Sequence, residues 1–323
     1  MLAVGANGAG KTNLLESLHL GTQGFSPRTR SDGELIRFGE SAARVRLDGV
    51  RGEAELRTDI VLSAAEGKRA EVNGARLRSA EQLRGETVTL VFTPDRLAIV
   101  KAGPAARRAY FDRSLGRVLP ARAGLPADYA AVLAQRNAAL KLGDRPTIAP
   151  WTAQLAALGT ALVAARTELL GLLAAPFAEL AGELGLPAAV LAYEGEPVGE
   201  ADLEARLDRD LERGATGLGP HLHDVSIAAD GRDLRSFGSQ GEQRTAVLAL
   251  LLAEATLLAE RRDDAPLLLL DDVLSELDPD RRRILLRQVE GRGQTLITAT
   301  TADALPGEPA QLLLVSPGAV AVG

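Results

Sequence analysis

The 323-residue sequence contains no cysteine, which excludes disulfides, zinc-thiolate centres and thiol nucleophiles and leaves only oxygen or histidine donors for a metal. Aromatic residues are 3% of the chain, too few for a platform on which successive bases of a single strand would stack. Lysine is scarce: Lys11, Lys68, Lys101 and Lys141 stand among 37 basic residues that are otherwise arginine, so the position of each lysine carries information. No run of about eighteen apolar residues occurs, and Met1 leads into a glycine-rich loop instead of a basic, then apolar, leader. A soluble cytoplasmic protein without membrane association is expected. The net charge of −6 excludes a surface that is basic all over, while leaving room for a local basic face. Apolar residues at 46% and charged residues at 25% suit a globular chain of one or two domains.

Residues 1–4 are a short apolar run, followed by glycines and by TNLLESLHLG with helical spacing, which predicts strand, loop and helix. From Ala43 to about Leu77 apolar and polar residues alternate, with Asn73-Gly74 as a hairpin signal, and an antiparallel meander is predicted. TVTLVF at 87–92 is expected as a central strand stopped by Thr93-Pro94. Between about 103 and 214 alanine and leucine dominate, with breaks expected at Pro120, Pro126, Pro146, Pro176 and Pro187; several helices follow, and without unbroken heptads no long coiled coil. Then come DVSIAA as a strand, a helix from about Glu242 to Arg262, the strand APLLLLDD, a helix near Arg281 and TLITAT as the last strand. Apolar strands alternating with helices indicate a parallel α/β sheet. Two lobes are expected: a head made of residues 1–102 and 215–323, and a helical arm at 103–214.

Gly5-Ala6-Asn7-Gly8-Ala9-Gly10-Lys11-Thr12 fits G-x-x-x-x-G-K-[ST] at every fixed position, between a strand and a helix as that motif requires. Glycines let backbone N–H groups curl around phosphates, Lys11 reaches the outer phosphates, and the Thr12 hydroxyl can ligate Mg²⁺. The bland alternative is a glycine turn with a chance lysine. The nucleotide-binding set expected here includes the adjoining Asn13. Leu267 to Asp272 ends an apolar strand in two carboxylates: Asp271 is the expected Mg²⁺ ligand, and Asp272 the group that orients or deprotonates the attacking water. Alone, such a run is as often a strand followed by a cap. Ser239-Gln240-Gly241-Glu242 opens the helix before that strand and resembles the ABC signature; a capping box between Ser239 and Glu242 explains the same spacing, and both can hold together. Ser275 to Asp278 resembles the D-loop, or else caps the helix after Pro279.

With these four motifs in order, the chain resembles the RecF family of recombination mediators, which is related to SMC and Rad50 heads. GANGAGKTNLLESLHLGTQG, FGSQGEQRTAVLALLLAEATLL, LLLLDDVLSELDPDRRRILL, FTPDRLAIVKAGPAARRAYFD and GPHLHDVSI carry the resemblance. It implies an ABC-ATPase-type P-loop head with an antiparallel β subdomain and an inserted helical arm. It also implies an ATP-dependent homodimer, with ATP and Mg²⁺ between Lys11, Thr12, Asp271 and Asp272 of one copy and Ser239 and Gly241 of the other. Duplex DNA near single-strand gaps, slow DNA-stimulated ATP hydrolysis, and work with RecR and RecO to load RecA are further implied. Three departures stand out. The family has two strands ahead of the P-loop strand, whereas Met1 here is almost on the loop, so the sequence is expected to be short at that end. Leu222 replaces an arginine after Gly-Pro-His, and His223 an acid. Thr300 and Thr301 stand where transporters keep a switch histidine, which disfavours the alternative of an ABC-transporter subunit. A second alternative, an ATP-binding adaptor without turnover, gains from Asp272, one methylene shorter than the usual glutamate.

Arg96, Lys101, Arg107, Arg108, Arg113, Arg117 and Arg122 accumulate with little acidic relief, and Arg28, Arg30, Arg37, Arg44 and Arg46 form a second basic stretch. Such clusters can neutralise phosphates without reading bases, and Arg107, Arg108 and Arg113 are the candidate DNA contacts; a solvated helix face is the alternative for any one of them. His221 and His223 are expected in an ordinary loop, not as a metal pair, and Trp151 and Tyr129 in the core.

Overall fold

In the computed structural model, residues 1–29, 31–262, 265–291 and 293–323 are described; Arg30, singled out above, lies outside them. The chain opens with β1 (Leu2–Val4), α1 (Lys11–Gln23) and the strands β2 (Ala42–Arg51), β3 (Ala54–Ser63), β4 (Gly67–Val72), β5 (Ala75–Arg76) and β6 (Thr89–Phe92). Helices α2 (Ala98–Lys101), α3 (Pro104–Val118), α4 (Leu125–Leu142) and α5 (Arg145–Glu183) lead to β7 (Ala189–Glu194), α6 (Glu200–Ala205) and α7 (Leu207–Arg213). β8 (Asp224–Ala229), β9 (Arg232–Asp233), α8 (Leu234–Phe237) and α9 (Gln240–Arg261) follow. Last come β10 (Leu267–Leu270), α10 (Pro279–Val289), β11 (Thr295–Ala299), β12 (Leu312–Ser316) and β13 (Ala319–Val322).

These elements form two compact units, one of residues 1–96 and 258–323, the other of residues 97–257. In the first, a six-stranded sheet runs β13-β12-β1-β11-β10-β6, with every pairing parallel except β12 with β13. β1 has a neighbour on each side and is buried throughout, so its residues are apolar on both faces. Ala3, Leu15, Val91, Leu269 and Leu296 form the core beneath the P-loop. The predicted meander is present as β2-β3-β4-β5, its last turn made by Asn73 and Gly74 at φ of 49° and 81°, where asparagine and glycine are tolerated. Two expectations fail. β6 is the terminal strand of its sheet, not a central one; its burial comes partly from α1, whose Thr22 hydroxyl accepts from that of Thr89 at 2.8 Å. And the chain does not end its strands at β11: the hairpin β12–β13, turned at Pro317-Gly318, extends the sheet.

In the second unit, α5 runs for 39 residues with Pro150 and Pro176 inside it, so the break expected at Pro176 is absent. Leu173, Phe177, Leu180 and Ala181 are buried on either side of Pro176, and that packing outweighs a cost of about 3 kcal/mol for an internal proline. Pro126 and Pro146 instead stand in the first turns of α4 and α5, where no N–H is missed. α5 is long and apolar enough to cross a bilayer by length and composition. Its contacts are those of a core helix: it packs on α3, α4, α6 and β7, and mid-helix Arg166 is buried against Asp112 through two hydrogen bonds of 2.8 Å. β7 lies in the stretch expected to be helical. Because β8 pairs with β7, residues 215–257 group with the helices, and the boundary expected at 214 is displaced.

Candidate nucleotide site

The loop between β1 and α1 needs glycine for two reasons. Gly8 and Gly10 take φ of 80° and 104°, a left-handed region strained for other residues. At Gly5 a Cβ would meet the Val315 carbonyl oxygen of β12 at 2.3 Å. Lys11, only 8% exposed, donates from Nζ to the carbonyl oxygens of Gly5 at 2.7 Å and Ala6 at 3.1 Å, which holds the ammonium over the loop. Ala9 turns into the core and is the one P-loop residue whose side chain serves packing alone.

β10 brings its two carboxylates to the start of α1. Asp271 accepts from Thr12 Oγ1 on one oxygen at 2.9 Å and from Thr298 Oγ1 on the other at 2.7 Å. The Thr298 hydroxyl, wholly buried on β11, also accepts from the Asp272 backbone N–H at 2.9 Å. Asp272 sits at φ 50°, ψ 27°, a left-handed position that aspartate adopts more readily than most residues. Asp271, Asp272, Lys11 and Thr12 line one cleft of about 250 Å³. Asn7, Gly8, Gly10 and Asn13 complete its floor, and Arg28 closes a side while reaching Glu16 at 3.4 Å. Thr298 and the cleft position of Arg28 do not follow from the sequence: nothing in TLITAT marks one threonine over the next until the β10–β11 register is known, and Arg28 reads there as part of the second basic stretch.

Ser239, Gln240 and Gly241 are exposed at the start of α9, in the second unit. The capping box is formed in both directions: the Ser239 N–H donates to Glu242 Oε2 at 2.7 Å, and the Glu242 N–H to Ser239 Oγ at 3.2 Å. The backbone bond from Ser239 holds the Glu242 carboxyl below its ordinary range. Asp278 caps α10, accepting from the N–H groups of Asp280 at 3.1 Å and Arg281 at 2.9 Å, and the Arg281 bond depresses its titration. Ser275 Oγ donates to the Asp272 carbonyl oxygen at 2.9 Å, tying this segment to the carboxylate pair.

The basic stretches are mostly committed within the protein. Arg107 is 5% exposed and bidentate to Asp224, with Nη1 on the carbonyl oxygens of Val100 and Ala102; it is a structural residue, which corrects its expected place among DNA contacts. Arg108 donates to the His223 carbonyl oxygen at 2.6 Å, Arg117 pairs with buried Glu254, and Arg122 with Glu168. Arg113, Lys101 and Arg37 are exposed, while Arg44 and Arg46 share Asp59. His221 and His223 accept or donate at Nδ1 with the hydroxyls of Tyr129 and Tyr193, at 2.8 and 2.9 Å. Among the described residues no group of three or more His, Asp or Glu side chains is placed to hold a metal ion. Tyr129 is buried, and Trp151 packs against Ala139, Leu140 and Ile148.

Residues 1–312 match the family described as RecF/RecN/SMC N terminal domain, and a DNA replication and repair protein RecF of Heliobacterium modesticaldum is 36% identical over 325 residues, covering 94% of this chain and 87% of its own. The chain belongs to the RecF family. The RecF of Anaeromyxobacter dehalogenans strain 2CP-C is 40% identical over 303 residues (88% of this chain, 81% of that one), and that of Bacillus subtilis strain 168 is 34% identical over 328 (94% and 88%). Among solved structures, the recombination mediator protein RecF-ATP of the RecFOR pathway superposes with a TM-score of 0.86 at 30% identity, over the whole of this chain and 91% of its own. An Smc head bound to the C-winged helix domain of ScpA, at 16% identity and a TM-score of 0.60, shares the fold. RecF membership and this likeness establish the ABC-ATPase-type α/β head anticipated from the motifs.

Proposed function

We propose that this RecF-family chain binds ATP with Mg²⁺, dimerises on it, and in that form holds duplex DNA near single-strand gaps, hydrolysing ATP slowly and helping RecR and RecO to load RecA in the cytoplasm. The observation that carries the nucleotide part is the threonine–carboxylate–threonine chain through Thr12, Asp271 and Thr298, set beside a lysine and a glycine loop. A hydroxyl and one carboxylate next to a phosphate cradle suit Mg²⁺, which keeps water and phosphate oxygens as most of its ligands; Thr12 and Asp271 would hold it. Bound there, Mg²⁺ would neutralise charge on the outer phosphates. Lys11 and the N–H groups at the start of α1 orient the phosphates, and Asp272, on the cleft wall, positions the attacking water.

The exposed, capped start of α9 supports a trans site, because a helix N-terminus with a free face suits a phosphate from a second copy. Half of the stabilisation then comes from the twin chain, so turnover rises with dimerisation. Size-exclusion chromatography with light scattering tests this: ATP should convert monomer to dimer, Lys11→Ala should stay monomeric, and Asp272→Asn should remain dimeric with ATP. A monomer unchanged by ATP would sink the proposal. Asp272, with its short side chain, favours one rival, an adaptor that binds ATP without turning it over. Single-turnover hydrolysis by the dimer decides between them.

A further inference from the structure

A groove of about 800 Å³ lies in the second unit between α5 and β7, and none of the residues assigned to the nucleotide lines it. Its α5 side is apolar, with Val163, Ala164, Leu170, Gly171 and Ala174, and its other wall is made by Leu191 and Tyr193 on β7. β7 is the end strand of its three-stranded sheet and, among the described residues, pairs with β8 alone. Beyond it the chain turns at Gly195, where φ is 159° and a Cβ would strike the His223 ring at 2.2 Å, so the end of the groove is fixed by the loop that His223 anchors.

Dimensions and charge say what fits. Six residues of β7 span about 20 Å at the usual rise per strand residue. The stretch of α5 from Thr160 to Ala174 spans about 21 Å at the helical rise. One extended segment of about six residues would therefore match both walls, its main chain pairing with the open side of β7 and alternate side chains filling the groove. The rim is acidic: Glu168 and Glu196 line it, Glu194 is exposed on the strand itself, and of these Glu168 is shared with Arg122. We propose that the groove docks an extended segment of a partner protein, apolar at alternate positions and flanked by lysine or arginine, which adds to β7 as a fourth strand.

The test uses the full chain and fluorescein-labelled seven-residue peptides of alternating valine and threonine, flanked by lysines or by glutamates, read by anisotropy. The lysine-flanked peptide should bind saturably and about tenfold more tightly than the glutamate-flanked one, and added salt should narrow the difference. Gly171→Trp should remove binding. Glu196→Lys, an exposed change that leaves the core untouched, should reverse the order of the two peptides while ATP binding stays as in the parent. No binding up to millimolar peptide, equal binding of the two, an order unchanged in Glu196→Lys, or tighter binding of a helical peptide of the same charge would each overturn the proposal.

Discussion

Both oxygens of Asp271 are engaged by threonines, one from each side, and that explains why a single carboxylate can stand at the end of a buried strand. Thr298→Val keeps the shape of the side chain but strips a bond from Asp271 and leaves the Asp272 N–H without its acceptor. It should cost about 1–3 kcal/mol in urea unfolding and weaken Mg-ATP binding, whereas Thr300→Val, at an exposed position, should do neither. The P-loop was legible because its chemistry is written in consecutive residues. Thr298 was not, because its role exists only once β10 and β11 are in register. Arg107 shows the opposite error: an arginine in a basic stretch looked available to phosphate until Asp224 was placed on it. Asp59 gives a pH prediction of the same kind. Hydrogen bonds from Arg44, and then Arg46, lower its pKa from 3.8 to about 2, so its contribution is present above the ordinary value and is lost as pH falls from about 4 to about 2. Asp59→Asn should lower stability at neutral pH and flatten the acid limb of the stability–pH curve across that window, so that parent and variant converge near pH 2.

Elements were read well where local signals agreed and poorly where packing overrode them. Asn73-Gly74 fixed a hairpin, and the Ser239–Glu242 spacing fixed the start of α9, because both act through bonds a few residues long. Pro176 failed as a punctuation mark because α5 is held by its buried face, and β6 passed for a central strand because a terminal strand can be covered by a helix. Ser239 separates capping from nucleotide contact. Ser239→Ala should lose about 1 kcal/mol of stability together with ATP-dependent dimerisation; Ser239→Asp should keep the cap and still fail to dimerise, since its charge would face phosphate. The loop carrying His221 and His223 is a second element with a measurable signature. Burial, with neighbouring arginines, holds both imidazoles below their usual titration range, so the loop's stability is complete above about pH 6.5 and declines as pH falls. Protection factors of residues 216–224, with exchange corrected for its slower intrinsic rate in acid, should fall between about pH 7 and pH 5, and the double change His221→Gln with His223→Gln should remove that dependence.

For the molecule as a whole, β7 hides in an alanine-rich stretch and pairs with β8, so residues 97–257, and not 103–214 alone, form one compact unit. Because most arginines of the basic stretches are already paired with acids, few remain to neutralise phosphates. Duplex affinity should therefore fall with salt with a modest slope, about −0.9 per phosphate neutralised, and Lys101→Glu, at an exposed position, should reduce that slope while Arg107→Ala should act through stability. Titrations of duplex at several salt concentrations check both. The strand that enters the P-loop lies between β11 and β12, and Gly5 rests against Val315. A ribosome making this chain thus releases the phosphate-gripping segment well before the strands that support it. Until β10, β11 and β12 emerge, the nascent polypeptide carries the motif without the architecture that lets it grip a nucleotide.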